Sequence, residues 1–219
     1  MDNHMKEIFG AFLAAIGTVS AAIGGTPIIY MQKRTLKDLD IIGNVLQAVG
    51  NGLATEGQKE LSLETIGNEL QSIGNLTVVS GLLLNIEDHN KQELIISGNW
   101  IQALGGLTAL VDRLLSEITN TDDLYLIAGD LLQAIGNSLQ AIDGINELKS
   151  NQIDKVNENV EEVESDEYIG VTGGWIQAIG SIISLIGQTK EENHEPFSFD
   201  PAFGLQTRNT VKKSKNEKE

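Results

Sequence analysis

Cysteine is missing from all 219 residues, which removes disulfides, thiolate metal sites and thiol nucleophiles together. That absence is compatible with any compartment. Proline is scarce, with three in the chain, and Pro27, in Gly24-Gly25-Thr26-Pro27, is the clearest internal breaker. Aromatic side chains make up 5% of the sequence. Positive charge is in short supply: 15 Lys and Arg face 31 Asp and Glu, a formal net charge of −16. No basic stripe is available for phosphate, so nucleic acid is excluded as a partner. The same charge opposes electrostatic attachment to anionic lipid. The opening Met1-Asp2-Asn3-His4-Met5-Lys6-Glu7 lacks the net positive region of a secretory signal.

Catalytic signatures are missing as well. The histidines His4, His89 and His194 fall at the start, in a polar spacer and near the C-terminus. None forms the His-x-x-x-His spacing that puts two ligands on one helix face. Asp122, Asp123 and Asp130 lie close in sequence, but the first two read as acids at a helix start, where the dipole favours them. No EF-hand loop, serine nucleophile elbow or phosphate-cradling glycine loop occurs. The chain therefore reads as a non-enzyme, with no catalytic, cofactor-binding or metal-binding residue and no cofactor.

What the chain does contain is a repeat, and repeats set architecture before local signals do. Four copies are Gly43-Asn44-Val45-Leu46-Gln47-Ala48-Val49-Gly50, Gly67-Asn68-Glu69-Leu70-Gln71-Ser72-Ile73-Gly74, Gly98-Asn99-Trp100-Ile101-Gln102-Ala103-Leu104-Gly105 and Gly129-Asp130-Leu131-Leu132-Gln133-Ala134-Ile135-Gly136. A fifth is Gly173-Gly174-Trp175-Ile176-Gln177-Ala178-Ile179-Gly180. A sixth, Gly10-Ala11-Phe12-Leu13-Ala14-Ala15-Ile16-Gly17, keeps the frame but has Ala14 in place of the glutamine.

Seven residues are nearly two helical turns, so the paired glycines fall about 20° apart on one face. With Gly43 at zero, Gln47 lies near ~40°, Asn51 near ~80° and Asn44 near ~100°. Ile42, Leu46, Val49 and Leu53 gather on the other side in a heptad seam, repeated in the other copies. Alternation by two, the mark of a strand, is nowhere sustained. The fold class is therefore all-α: six amphipathic helices, one Gly-x6-Gly motif each, in an antiparallel up-down bundle or helical array. Helices are expected at 3–24, 36–54, 61–86, 91–118, 122–149 and 167–189.

Each interior glycine costs about 0.8–1.0 kcal/mol against alanine. A dozen of them cost roughly 10 kcal/mol, comparable with the net stability of a domain. Close backbone approach between helices is the compensation expected for that cost. The five glutamines then belong either to a polar layer between helices or to a solvated flank. Trp100 and Trp175 share one motif position with Phe12, Val45 and Leu131; the position reads as a core edge, with an exposed anchor as the alternative.

The repeated Gly-Asn-x-Leu-Gln-Ala-Ile-Gly words, with the opening Lys6-Glu7-Ile8-Phe9-Gly10-Ala11, resemble a group of uncharacterised repetitive proteins of Bacillus-type bacteria. The resemblance spans about 1–188. It implies a bacterial source and supports the repeat, and it carries no activity, cofactor or site residue.

Residues 1–189 thus read as a repetitive bundle, with an acidic insert at about 150–166. Residues 190–219 read as a disordered tail holding Phe197, Phe199 and Phe203. The leading functional expectation is a cytoplasmic structural or interaction protein able to self-associate, whose partner is itself or an unknown protein. The alternative is a membrane-associated or pore-forming protein using the uncharged stretches 8–32 and 168–189, with Lys33, Arg34 and Lys37 on the cytoplasmic side. Glu69, Asp112 and Asp130 in the middle helices speak against that alternative.

Overall fold

The structure is a computed structural model that describes residues 2–58, 60–116, 121–156 and 168–194. Six helices occur among them: α1 (Asn3–Gly24), α2 (Lys33–Gly57), α3 (Leu63–Leu83), α4 (Asp88–Leu115), α5 (Thr121–Val156) and α6 (Ile169–His194). Local chemistry fixes several starts. The Asp2 carboxylate accepts the Met5 amide at α1, and Ser62 with Thr65 forms a reciprocal capping box at α3. α5 runs beyond the expected end at 149, to Val156. The rest of the acidic insert, 157–166, lies outside the described residues. α6 also outruns its expected end at 189, and the remaining tail, 195–219, is again outside them.

Each helix packs on two neighbours only, its predecessor and successor in the chain, and α6 returns to α1. The six helices therefore form a closed antiparallel ring around an axis. Ring closure is visible in side chains: the Trp175 indole N–H donates to Thr26 Oγ1 at 3.1 Å, and Gln188 Nε2 donates to Glu7 Oε2 at 3.4 Å.

Two kinds of seam alternate around the ring. Within the hairpins α1–α2, α3–α4 and α5–α6, motif glycines meet one another in reciprocal pairs: Gly10 with Gly50, Gly17 with Gly43, Gly67 with Gly105, Gly74 with Gly98, Gly129 with Gly180, and Gly136 with Gly173. A methyl on any of the twelve would fall 2.5–2.8 Å from the partner glycine's carbonyl oxygen, closer than a carbon atom tolerates. The Cα hydrogens occupying those directions point at the carbonyls, the arrangement of Cα–H···O contacts at close helix pairs. The spacing of seven follows from this antiparallel pairing, since each helix offers the glycines two turns apart and its partner meets them in reverse order.

Between hairpins the seam is looser, and across α2–α3 and α4–α5 it involves the alanine that follows the glutamine. Ser72, which holds that position in α3, donates its hydroxyl to the Ala48 carbonyl of α2 at 2.9 Å. Across α4–α5, a methyl on Gly106 would meet Ala134 Cβ at 3.4 Å. Across α6–α1, one on Gly174 would meet Ala22 Cα at 3.6 Å, which is ordinary contact.

The heptad seam of the sequence is nowhere fully buried: Ile42 and Val49 are exposed, Leu46 and Leu53 half-buried, and the other copies follow the same pattern. In all six copies the residue two after the first glycine is exposed, and so is the one just before the second: Phe12, Val45, Glu69, Trp100, Leu131 and Trp175, then Ile16, Val49, Ile73, Leu104, Ile135 and Ile179. The buried apolar side chains are mostly alanines, with Val78, Ile96, Leu110 and Leu126 among the few larger ones. The physical reason lies in the glycine pairs. Once the glycine face is used for the hairpin seam and the alanine for the next, the Asn and Gln between them point at the axis, leaving the large apolar side chains on the perimeter.

Candidate functional site: a polar axial lumen

The axis of the ring is lined by the residue after each glycine and by the motif glutamine. Thr18, Asn44, Asn75, Asn99, Asn137, Gln47, Gln102, Gln133, Gln177 and Ser181 are all buried there. Halfway along, three glutamines, one from the second helix of each hairpin, bridge the lumen. Gln177 Nε2 donates to Gln47 Oε1 at 2.8 Å and to Gln102 Oε1 at 3.3 Å. Gln140 Nε2 in turn donates to Gln177 Oε1 at 2.9 Å. Of the two roles open to the glutamines in the sequence, the polar layer is the one the fold adopts. Among the described residues five buried polar side-chain atoms have no hydrogen-bond partner: Thr55 Oγ1 and Gln58 Oε1 near the end of α2, and Gln102 Nε2, Asn75 Oδ1 and Asn137 Nδ2 along the axis. Orphaned atoms of this kind are uncommon in folded proteins.

On the side of the glutamine bar where α1, α3 and α5 begin, the lumen opens into a recess of about 550 Å³, counting space open to solvent. All six helices line it. Ala14, Gln71 and Gln133, the glutamine position of the first helix in each hairpin, are among its walls. The replacement of glutamine by Ala14, a departure already visible in the first repeat, thus falls in a wall of the recess and shortens the side chain there.

Charge enters the recess at Glu7, which accepts from Gln188, and in a cluster around Arg113. Arg113 Nε donates to Asp130 Oδ2 at 2.9 Å, and Arg113 Nη2 pairs with Glu64 Oε1. The Asp130 and Arg113 side chains are 8% and 14% exposed, so this bridge is largely shielded from water. Replacing Arg113 by alanine leaves Asp130 buried without its cation, a change that costs about 3–5 kcal/mol. Thermal unfolding of R113A should reveal that loss, and R113A/D130N should recover much of it. An R113A chain with an unchanged melting temperature would show that the bridge contributes nothing.

The other residues singled out in the sequence distribute as follows. His4 and His89 lie in the first turns of α1 and α4, with His89 Nε2 3.2 Å from Glu93 Oε1, while His194 ends α6. No group of three or more His, Asp or Glu positioned to hold a metal occurs among the described residues. Asp130 does not join Asp122 and Asp123; it turns to Arg113. Trp100 and Trp175 are about two-fifths exposed on the perimeter, so the exposed position replaces the core edge. Sequence reasoning missed Arg113 and Glu64 entirely. The one available signal was that Asp130 stands where three other copies have asparagine, which puts a carboxylate in an amide-lined position.

Chemically, the arrangement offers neutral amide and hydroxyl groups along an axis, an ion-paired mouth, and an apolar perimeter. It belongs to the class of all-helical proteins in which closely packed hairpins enclose a polar interior. The chain is a member of the family of unknown function DUF6944, whose model matches residues 5–194, from the first turn of α1 to the end of α6. No curated protein and no solved structure matches it.

Proposed function

We propose that this chain is a non-enzymatic membrane protein whose six helices enclose a polar lumen, with hydrocarbon covering the perimeter. The carrying observation is the inverted polarity: amides inside, large aliphatic and aromatic side chains outside. In water that distribution leaves apolar area exposed around the whole ring, far beyond the single patches usual for soluble monomers. In a bilayer it is the arrangement of lowest cost.

Further observations support the reading. α1, α4 and α6 are each long and apolar enough to cross a membrane, with mean hydropathies of 1.7, 1.4 and 1.6 over their best windows. Most formal charges flank uncharged belts, with Glu69 on the exposed face of α3 and Asp143 within α5 at the edges of theirs. The stretches 8–24, 41–55, 70–83, 94–111, 131–142 and 169–189 carry none. At about 1.5 Å per residue these belts measure roughly 18–32 Å. Because Asp130 turns into the lumen, the outer face of α5 is uncharged from 124 to 142. A hydrocarbon core is ~30 Å thick. Perimeter hydroxyls are satisfied without water: Ser20, Thr77, Ser80 and Thr108 each donate to the carbonyl four residues earlier at 2.8 Å. Such back-bonding is what a hydroxyl facing lipid requires.

The test is fractionation of cells expressing the full chain, with membranes washed in high-pH carbonate and floated on a density gradient. Recovery in the floated fraction is the expected result. Recovery in the supernatant as a defined oligomer would overturn it in favour of the self-associating soluble protein, whose perimeter would be covered by further copies.

A further inference from the structure

We propose that the lumen is a path for small uncharged polar molecules, of the size and chemistry of urea or glycerol, and that the Gln47–Gln177–Gln102 bar is its gate. This inference rests on the membrane reading above and adds the solute class and the closing element.

The argument begins with what lines the path. At the bar itself the deeply buried wall groups are amides; the carboxylates lie to either side of it, Glu7, Glu64 and Asp130 with Arg113 in the recess and Asp40, which accepts from Asn44 Nδ2, beyond the bar. A neutral wall gives an ion no counter-charge to replace its hydration shell, so a desolvated ion is disfavoured there. An uncharged molecule with both donors and acceptors exchanges its hydrogen bonds with water for hydrogen bonds with Asn and Gln.

The orphaned atoms sharpen the assignment. Gln102 Nε2 and Asn137 Nδ2 are donors, Asn75 Oδ1 is an acceptor, and all three residues are 1–2% exposed. Asn75 follows Gly74 and Asn137 follows Gly136, so both stand on the side of the bar away from the recess. Unmet donors and acceptors thus continue past the constriction. A guest that both donates and accepts satisfies them in turn, which a purely accepting anion or purely donating cation does not.

Closure rests on one side chain. Gln177 is the residue whose amide reaches both Gln47 and Gln102, so it spans the lumen alone. Its own carbonyl is held by Gln140. Opening requires rotation of that amide without breaking a helix or a glycine pair.

The full chain and its Gln177→Ala variant would be reconstituted in phosphatidylcholine vesicles, with flotation and circular dichroism confirming insertion and helicity for each. Light scattering would follow re-swelling in hyperosmotic urea, glycerol and sucrose, and an electrode would follow potassium release. Q177A vesicles are expected to take up urea and glycerol at least tenfold faster than wild-type vesicles, to exclude sucrose, and to retain potassium. Adding Ala14→Leu, which fills the recess, should reverse most of the gain. Should Q177A not fold, Gln177→Asn withdraws the amide by one methylene while keeping its polarity and is read in the same way. Inserted, helical variants with the urea rate of protein-free vesicles overturn the path. Wild-type vesicles as permeable as the variant overturn the gate, and potassium release matching urea entry overturns the solute class. Chain that fails to float indicts the membrane reading instead.

Discussion

Gly74→Leu and Gly136→Leu are each expected to prevent ring closure, giving chain that loses its cooperative thermal transition. A side chain at Gly74 would begin 2.6 Å from Gln102 Cγ and 2.7 Å from the Gly98 carbonyl; at Gly136 it would begin 2.5 Å from the Gly173 carbonyl and 2.6 Å from Gln177 N. The obstacle is mostly backbone, which cannot rotate away. Ordinary overpacking of a core costs about 1–3 kcal/mol because side chains yield. Here the helices must separate towards the usual 8–10 Å, which also pulls Gln102 or Gln177 out of the amide bar. The expected loss exceeds that of ordinary overpacking and is a large share of the 5–15 kcal/mol that keeps a domain folded. Gly52→Ala is the control, because nothing lies within 4 Å of its added methyl. Helix propensity predicts a gain of up to about 1 kcal/mol there. If either leucine variant melts with the wild type, close packing does not account for the motif.

The second large effect is a change of sign. Val49, Leu104 and Ile179 occupy equivalent perimeter positions, one per hairpin, and are 48%, 54% and 51% exposed. In a soluble protein, changing all three to lysine would be nearly neutral for stability and would improve solubility. In a bilayer each lysine near the middle of a span costs about 2.5–3.5 kcal/mol on the insertion scale. The triple variant V49K/L104K/I179K is therefore expected to leave the carbonate-washed membrane fraction and to accumulate as degraded or aggregated chain. A triple variant that is soluble, folded and more thermostable than the wild type would overturn the membrane reading.

Most helix boundaries were legible because glycine, polar spacers and apolar periodicity all mark the same places. The glycine pairing was legible too, as seams of close approach, although the sequence does not state which helix faces which. Polarity was not. A helical wheel separates Gln47 and Asn44 from Val45 and Val49, but it assigns neither face to the interior. The familiar rule that apolar faces turn inward supplied that step, and here the glycine and alanine seams override it. The second seam went unread because alanine at Ala48 and Ala134 looks like a neutral helix former rather than a contact. The Arg113–Asp130 bridge joins residues on different helices, and neither helix's periodicity signals it.

The alternation of tight and loose seams has a mechanical consequence. Each hairpin is clamped by backbone meeting backbone, whereas α2–α3, α4–α5 and α6–α1 meet through methyl groups, single hydrogen bonds and the Arg113 bridge. The ring therefore divides into three stiff blades joined along three compliant lines. Bore can change as an iris changes it, by small outward rotations of the blades, with every glycine clamp intact. A disturbance arriving from the perimeter, such as lateral tension or a change in thickness of the surrounding phase, would be felt along those lines first and carried from there to the axis.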